Sequence, residues 1–537
     1  MLDAAKALID SVIKNRRRPV NWEKEVREIE TRRGFARELG GAEAVERQHA
    51  AGKLTVHERI DLLADSGSFR EIGALAGKAK YDSEHRLISV RPSNAVIGTA
   101  VVNGRKVAIN GDDYTIRGGS SEATISEKWI YAENYALQMR MPLVRIVESA
   151  GGSVRLVEQQ GSSKIPGYPT WQMVGILGYI PVVALALGPC AGLGALKAAC
   201  AHFSVMVKGT AQVFAGGPPV VERAMGKEIH KEELGGSRIH TRESGVINNE
   251  AATEEEAFEM VKRYLSYMPS SVFELPPVVE SDDPPDRREE ELLSIIPRDR
   301  RRIYKPRRML ELVLDRGSIF EISPMFGRSV ITCLARLNGR PVGIIANDPM
   351  HYGGGLTRSA AGKMESFIDI CDTFHLPIIN FVDQPGTIVG PEAERLGTVK
   401  ATVRVCSAIE QSRVPWCAVI VRRLYGLAGT TYGRLQDINM HFAWPSARWG
   451  SIPVSGGVEA AYRAELESLE PEARKLRLAE LEAYYDHLES PFLTAERFKV
   501  PDIIDPRQTR EILCDWLDDA WRVLPEQLGL RTRTLRL

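Results

Sequence analysis

The feature that most restricts how this chain can fold is that a long part of it is written twice. Residues 103–151 laid on residues 338–386, at a constant offset of 235, agree at 12 of 49 positions, where unrelated segments of average composition would agree at roughly three. The agreements fall where backbone geometry is constrained. Asn103-Gly104-Arg105 meets Asn338-Gly339-Arg340, Asp113 meets Asp348, and Gly118-Gly119 meets Gly353-Gly354. Lys128 meets Lys363, Pro142 meets Pro377, and Gly151 meets Gly386.

Each copy reads as a strand pair turning at Asn-Gly-Arg, a glycine-rich turn, a helix of about twenty residues, and a continuous apolar run of the kind found in buried parallel strands. Those runs are Leu143 to Val147 and Ile378 to Val382. A second apolar run follows in each copy and ends in a small-residue turn that opens another helix. There the offset becomes 234: Pro181 pairs with Pro415, and Gly192-Leu193-Gly194 with Gly426-Leu427-Ala428. The fold class expected is therefore α/β, with two tandem domains in residues 91–275 and 311–537. A helical lead-in over 1–90 precedes them. Residues 276–310, rich in proline and charge, read as a solvated linker that buries little. A charged helical stretch, Ala460 to Glu489, precedes a final strand and helix.

A chain of 537 residues has room for two cores. Lys plus Arg and Asp plus Glu both total 70, which argues against a nucleic-acid surface. Seven scattered cysteines include no CxxC pair, and they read as buried thiols in a reducing compartment rather than metal ligands. No apolar run is long enough to span a membrane. The start lacks the apolar stretch of a secretory signal, and the run Lys14 to Arg18 reads as part of a solvated helix rather than a transit peptide. A cytoplasmic enzyme that binds no metal is the class expected.

In α/β units ligands gather where strands end and helices begin, because unpaired N–H groups point outward there with the helix dipole behind them. Gly151-Gly152 with Ala191-Gly192-Leu193-Gly194 in the first copy, and Gly386 with Tyr425-Gly426-Leu427-Ala428 in the second, give two such places. Pockets of backbone donors suit developing oxyanions. Glycines at such turns often serve architecture alone, but two in register point to function. No nucleophile elbow, HExxH, P-loop or dinucleotide fingerprint is present. Glu148 and Asp383 end the paired strands and are read as caps for the turns rather than as acid and base. Lys128 and Lys363 are read as structural.

At this level of detail the chain resembles the carboxyltransferase (β) subunits of biotin-dependent acyl-CoA carboxylases, the propionyl-CoA and methylcrotonyl-CoA type with paired crotonase-like domains. The resemblance rests on GGAEAVERQHAAGKLTVHERIDLLADSGSFREI, GPCAGLGALKAACAHFSVMVKGTAQVFAGGPPVV, EELGGSRIHTRESGV, FVDQPG and SPFLTAERFKVPDIIDPRQTR, in the family's order, from about Gly40 onward. It implies that carboxybiotin gives up its carboxyl group as carbon dioxide, that the biotin nitrogen takes the α-proton of an acyl-CoA, and that the enolate attacks the carbon dioxide. Two oxyanions then need two holes. Carried over, the thioester hole falls on the amides around Gly192 and Leu193, and the biotin hole on those of Leu427 and Ala428. Gly151, Gly152, Ala191, Gly194, Gly386, Tyr425, Gly426 and Thr430 surround acyl-CoA and biotin. The resemblance further implies a partner subunit bearing biotin carboxylase and biotin carrier domains, and a homohexamer built as two stacked trimers.

Many relatives have glycine where this chain has Leu193 and Leu427, and Thr430 replaces an aspartate of propionyl-type members. A leucine resists φ > 0; where these leucines are helical the N–H survives and only the pocket narrows, so the expectation is that the changes bear on acyl-chain specificity and do not by themselves remove either hole. Two other readings stay open: a decarboxylase or transcarboxylase subunit using the same chemistry, and a non-catalytic homologue that scaffolds a carboxylase. A stand-alone crotonase-type hydratase or hydrolase fits less well.

Overall fold

The computed structural model describes residues 21–163, 165–434, 440–533 and 535–536. The Lys14 to Arg18 run lies outside them. Two eight-stranded sheets carry the duplication. The first runs in the order Arg70–Ile72, Ala95–Val102, Arg105–Asp112, Leu143–Ser149, Val182–Ala191, Phe203–Val207 and Asn249–Ala251, with Gln212–Phe214 paired to the end of Val182–Ala191. The second repeats that order with Phe320–Glu321, Val330–Leu337, Arg340–Asn347, Ile378–Gln384, Trp416–Tyr425, Met440–Ala443 and Asp502–Ile503, and with Arg448–Gly450 beside Trp416–Tyr425.

The sequence identities explain the shared geometry. At each Asn-Gly turn both residues sit at positive φ (Asn103 49°, Gly104 77°; Asn338 49°, Gly339 76°), as a two-residue hairpin turn of the primed type requires. An aspartate from the preceding segment caps each turn: Asp65 accepts from the amides of Asn103 and Gly104 at 3.0 and 2.9 Å, Asp315 from those of Asn338 and Gly339 at 2.9 and 2.8 Å. The central strands are buried on both faces, which is why they read as mainly apolar runs, interrupted at Arg145 and Asn380, instead of alternating.

The helices of the two copies are shorter than the sequence suggests, Ser126–Gln138 and Arg358–Thr373. Tight 3-10 turns at Arg117–Gly119 and Tyr352–Gly354 hold the upstream residues out of helix, and in the second copy Thr357 caps the start by accepting from the Ala360 amide at 3.1 Å. The lead-in is also only partly helical: after Glu23–Arg37, Ala42–Ala50 and Val56–Leu63 comes a two-stranded hairpin, Gly77–Tyr81 with Leu87–Pro92. In the first strand of this hairpin Lys78 and Lys80 alternate with small residues, so the sequence gives little apolar signal for that strand.

The halves share one core, and the second half has another of its own around Met309, Phe381 and Trp444. One hydrophobic cluster runs from Ile60, Val107 and Leu185 through Phe203 and Tyr264 to Phe320, Phe367 and Phe374. Phe203 stacks on Tyr264 and meets Phe320 edge-on, while His202 packs edge-on against Phe374. Removing such a fully buried ring typically costs about 3–5 kcal/mol. The stretch expected to be a solvated linker is likewise pinned down. Leu292 and Tyr304 are buried, and Arg287 is held by Asp283 and Glu289 at 2.7 and 2.6 Å.

Candidate functional site

Each half brings two loops together at the carboxyl ends of its central strands. In the first half a register shift between Val147 and Ser149 sets Ser149 opposite Cys190; in the second, a shift between Val382 and Gln384 sets Gln384 opposite Leu424. The bulged strand ends leave Glu148 and Asp383 pointing inward, each with no measurable exposure. Glu148 takes Lys53 Nζ, Arg59 Nη1 at 2.6 Å and Gln48 Nε2 at 2.9 Å. Burial alone would raise its pKa, but Arg59 and Lys53 outweigh burial and lower it. Asp383 takes Arg423 through Nε at 2.5 Å and Nη2 at 3.0 Å. Both carboxylates are thus committed to buried ion pairs, not to capping. The cap comes from the next residue along: Ser149 Oγ accepts from the Gly151 amide at 3.1 Å, and Gln384 Oε1 from the Gly386 amide at 3.0 Å.

Those two glycines turn the chain at φ 83° and 130°. Their carbonyls do matching work, the Gly151 oxygen accepting from the Ser121 amide and the Gly386 oxygen from the Leu356 amide, both at 3.0 Å. A Cβ on Gly151 would lie 2.9 Å from the Ala191 carbonyl oxygen, and one on Gly194 would lie 3.2 Å from Ser149 Cβ. The two loops of the first half therefore touch, and only glycine permits the approach. In the second half the ideal Cβ of Gly386 comes within 3.9 Å of the Tyr425 carbonyl oxygen.

The second loop of each half opens a helix. Gly192 stands at φ 56° before helix Leu193–Ala199, and Gly426 at φ 63° begins the single turn Gly426–Gly429. The positive φ falls on the glycine in both cases. Leu193 and Leu427 are helical and keep their N–H groups in the first turn. Gly192's own amide donates to the Phe214 carbonyl at 3.1 Å, so the open donors of this turn begin at Leu193. This second helix is a single turn, and at its end the Thr430 and Thr431 hydroxyls donate to the Leu427 and Ala428 carbonyls, both at 2.7 Å.

The first amides of a helix have no intrahelical acceptor. Among the described residues none is found for Leu193 and Gly194, nor for Leu427 and Ala428. The same holds for Gly152 in the first loop of one half and for Thr387, which occupies the matching place 235 residues on, in the other. Sequence reasoning missed Thr387, although the offset that paired Gly151 with Gly386 pairs it with Gly152. Its Oγ1 is buried and lacks a partner, a costly condition unless a ligand satisfies it. Tyr425 closes the second site from behind, its hydroxyl donating to Glu489 Oε1 at 2.9 Å. Leu193 leans on the aromatic cluster of Trp129, Tyr168 and Trp171.

Lys128 and Lys363 stand apart from these loops. Lys128 Nζ lies 3.9 Å from Glu71, and Lys363 Nζ donates to the Ser323 carbonyl at 3.2 Å. They tie the helices to the edge strands. Of the seven cysteines six are buried and Cys406 is partly exposed; none forms a disulfide.

The fold and these loops define a twin-core α/β protein that offers two matching sets of unpaired amides. Residues 47–527 match the carboxyl transferase domain family. The propionyl-CoA carboxylase carboxyltransferase subunit of Haloferax mediterranei is 32% identical over 92% of this chain and 95% of its own length. The methylmalonyl-CoA decarboxylase subunit alpha of Veillonella parvula is 31% identical over 88% and 91%. Transcarboxylase 12S, solved as a hexamer with methylmalonyl-CoA bound, superposes with a TM-score of 0.83 at 27% identity, covering 96% of this chain and 98% of its own. The chain belongs to the carboxyl transferase family, among the acyl-CoA carboxylase β chains and their decarboxylase and transcarboxylase relatives, as the sequence resemblance implies. Its activity class is carboxyl transfer. No helix of the described residues is long and apolar enough to cross a membrane.

Proposed function

We propose that this chain is the carboxyltransferase component of a biotin-dependent acyl-CoA carboxylase, placing a carboxyl group on the α or vinylogous carbon of an acyl-CoA. The observation that carries this reading is repetition. Two turns of different sequence each leave amides at corresponding positions without acceptors, next to a glycine shelf capped in the same way. Architecture alone needs the glycines and leaves first-turn amides open at any helix start, but it does not call for a second open amide, Gly152 or Thr387, on the facing loop of each half.

Carboxybiotin, brought by a partner subunit with biotin carboxylase and carrier domains, supplies the carboxyl group and a nitrogen that accepts the α-proton. The residues of the second half suit the ureido oxygen, which carries negative charge once the carboxyl group has left as carbon dioxide: the amides of Leu427, Ala428 and Thr387 and the unpartnered Thr387 hydroxyl offer it donors. In the first half the amides of Leu193, Gly194 and Gly152 hold the thioester oxygen as it gains charge on loss of the α-proton. Donors fixed before the reaction need no reorganisation as charge develops. Ala191 and Gly151 form the wall of the first hole; Gly386, Tyr425, Gly426 and Thr430 border the second.

The catalytic halves are assigned to residues 91–275 and 311–537, with 276–310 between them and 1–90 as a lead-in. The 12S relative is a hexamer, and the same assembly, two stacked trimers in the cytoplasm, is proposed for this chain. The Veillonella decarboxylase subunit favours one second reading, the same exchange run toward decarboxylation. Purified protein tests the activity directly: free biotin should promote carboxyl exchange with malonyl- or methylmalonyl-CoA. Co-purification with an ATP-grasp subunit, followed by bicarbonate-dependent assay over an acyl-CoA panel, separates carboxylase from decarboxylase. A correctly assembled protein that exchanges no carboxyl group with any acyl-CoA would leave only a scaffolding role.

A further inference from the structure

The two holes are braced differently. In the first half the loops brace each other, the ideal Cβ of Gly151 lying 2.9 Å from the Ala191 carbonyl oxygen. Tyr425 takes the place of Ala191, 234 residues on, and there the corresponding separation is 3.9 Å. The second pair of loops stands further apart and gains less from mutual contact. Its brace is a side chain that reaches outward. The Tyr425 ring lies beside Gly450, whose ideal Cβ would be 3.5 Å from Tyr425 Cε1, and its hydroxyl donates to Glu489 Oε1 at 2.9 Å. Tyr425 is buried, and burial together with the neighbouring carboxylate pushes the hydroxyl pKa well up, so the hydroxyl stays a donor.

Glu489 comes from an element that the first half lacks. Between Gln212–Phe214 and Asn249–Ala251 the first half places helices of no more than 8 residues. Between Arg448–Gly450 and Asp502–Ile503 the second half builds the 18-residue helix Pro471–Leu488, and Glu489 is the residue on which it ends. That end is pinned. Leu481 is buried with Val458 and Leu466, the Tyr485 and Tyr462 hydroxyls meet at 3.0 Å, and Asp486 pairs with Arg300. Just beyond, Thr494 Oγ1 accepts from Trp449 Nε1 at 3.1 Å. The Glu489 carboxylate is partly buried, and among the described residues it takes no other hydrogen bond or ion pair. A fixed acceptor thus faces one donor, on the residue that precedes the second hole.

We propose that Glu489 is a positioning residue for the second hole: by holding the Tyr425 hydroxyl it fixes the backbone that presents the amides of Leu427 and Ala428 and against which the Gly386-Thr387 loop is set. The inference rests on the proposed carboxyl transfer and deepens it, because it makes the biotin side of the reaction depend on a helix that only the second half carries. The thioester side, with Ala191 in the equivalent place, does not depend on it. A hydrogen bond to a charged acceptor is strong enough to hold a turn in one geometry, and donors aimed at a developing charge lose their effect when that geometry loosens.

The test uses the full-length assembled protein with Glu489→Ala, Tyr425→Phe, the two together, and Glu489→Gln. In carboxyl exchange with free biotin each of the first two should lower kcat about ten- to a hundredfold and raise the KM for biotin. The KM for the acyl-CoA and the stoichiometry of its binding by calorimetry should stay as in the parent. The double variant should be no worse than the weaker single one, as expected for two ends of one bond. Glu489→Gln keeps an acceptor oxygen and should restore most of the rate. Hydrogen exchange read by mass spectrometry should quicken in peptides covering 384–390 and 425–433 of Glu489→Ala and stay unchanged over 149–153 and 191–196. Parent-like kcat and biotin KM in both single variants overturn the proposal. So do equal losses on the biotin and acyl-CoA sides, which mark a general structural defect, additive losses in the double variant, and a Glu489→Gln protein no better than Glu489→Ala. If the parent protein transfers no carboxyl group, the reading of its activity fails, and the exchange measurement still decides the role of Glu489: unchanged protection over 425–433 in Glu489→Ala overturns it.

Discussion

Replacing Leu427 by proline removes one proposed donor and little else. The N–H lost has no acceptor in the structure, and proline is tolerated in the first turn of a helix, where its missing N–H breaks no internal bond. The side chain is 46% exposed, so its loss removes little packing, and the preceding Gly426 is the residue least restricted by a following proline. Deleting one oxyanion donor costs about 2.7–4 kcal/mol of transition-state stabilisation, which at about 1.36 kcal/mol per factor of ten is on the order of 10²–10³ in rate. The assay is biotin-dependent carboxyl exchange with malonyl- or methylmalonyl-CoA. Leu427→Pro should lower kcat and kcat/KM together and leave KM for the acyl-CoA in place, the pattern of an interaction made mainly in the transition state. Leu427→Ala keeps the amide and should keep the activity. Normal turnover by a folded, correctly assembled Leu427→Pro protein would refute the assignment of this amide.

Three further outcomes follow from the same geometry. Gly119→Ala combines positive φ with a Cβ 2.4 Å from the Glu148 carbonyl oxygen and should destabilise by about 2–5 kcal/mol; Gly118→Ala has its nearest neighbour at 3.7 Å and should cost only about 1–2 kcal/mol for its backbone, a difference that denaturant titration can read. Glu148→Gln leaves the buried Lys53 without its counter-charge and Arg59 with Glu254 alone and should cost about 3–5 kcal/mol in the same titration, with kcat preserved in the protein that remains folded; a selective loss of kcat would return Glu148 to the chemistry. Burial depresses the Lys363 pKa to about 7, below its unfolded value of about 10.4. Between those values the unfolded chain binds the extra proton, so stability should rise with pH by up to about 1.4 kcal/mol per unit and level off below about pH 7. Lys363→Met should remove that slope, and a parent protein whose stability is flat over this window would contradict the buried neutral amine.

Much of the architecture was legible because it was duplicated. The Asn-Gly turns, the paired prolines and the glycines at 151 and 386 repeat wherever φ > 0 or close approach leaves few alternatives, so comparing the chain with itself located both sheets and both loops. Glu148 and Asp383 were misread as caps because sequence spacing places them at the strand ends but does not reveal the bulges that turn them inward toward Arg59 and Arg423. The hairpin at 77–92 was invisible for the opposite reason: it exists in one repeat only, and Lys78 and Lys80 alternate with small residues that give no apolar period. Thr387 was overlooked because it has no glycine to advertise it, although the register that pairs it with Gly152 was already available. Gly192, by contrast, was given an amide that Phe214 occupies. A pairing with Gln212–Phe214 across the sheet cannot be read from a local motif.

The most direct test is a structure of the assembled protein with an acyl-CoA and biotin bound together. The thioester oxygen should lie about 2.7–3.1 Å from the amides of Leu193 and Gly152, and the ureido oxygen at about the same range from those of Leu427 and Thr387. Either oxygen held instead by a side chain, or facing a wall with no free N–H, would show that the repeated turns are architecture and not the seat of the chemistry.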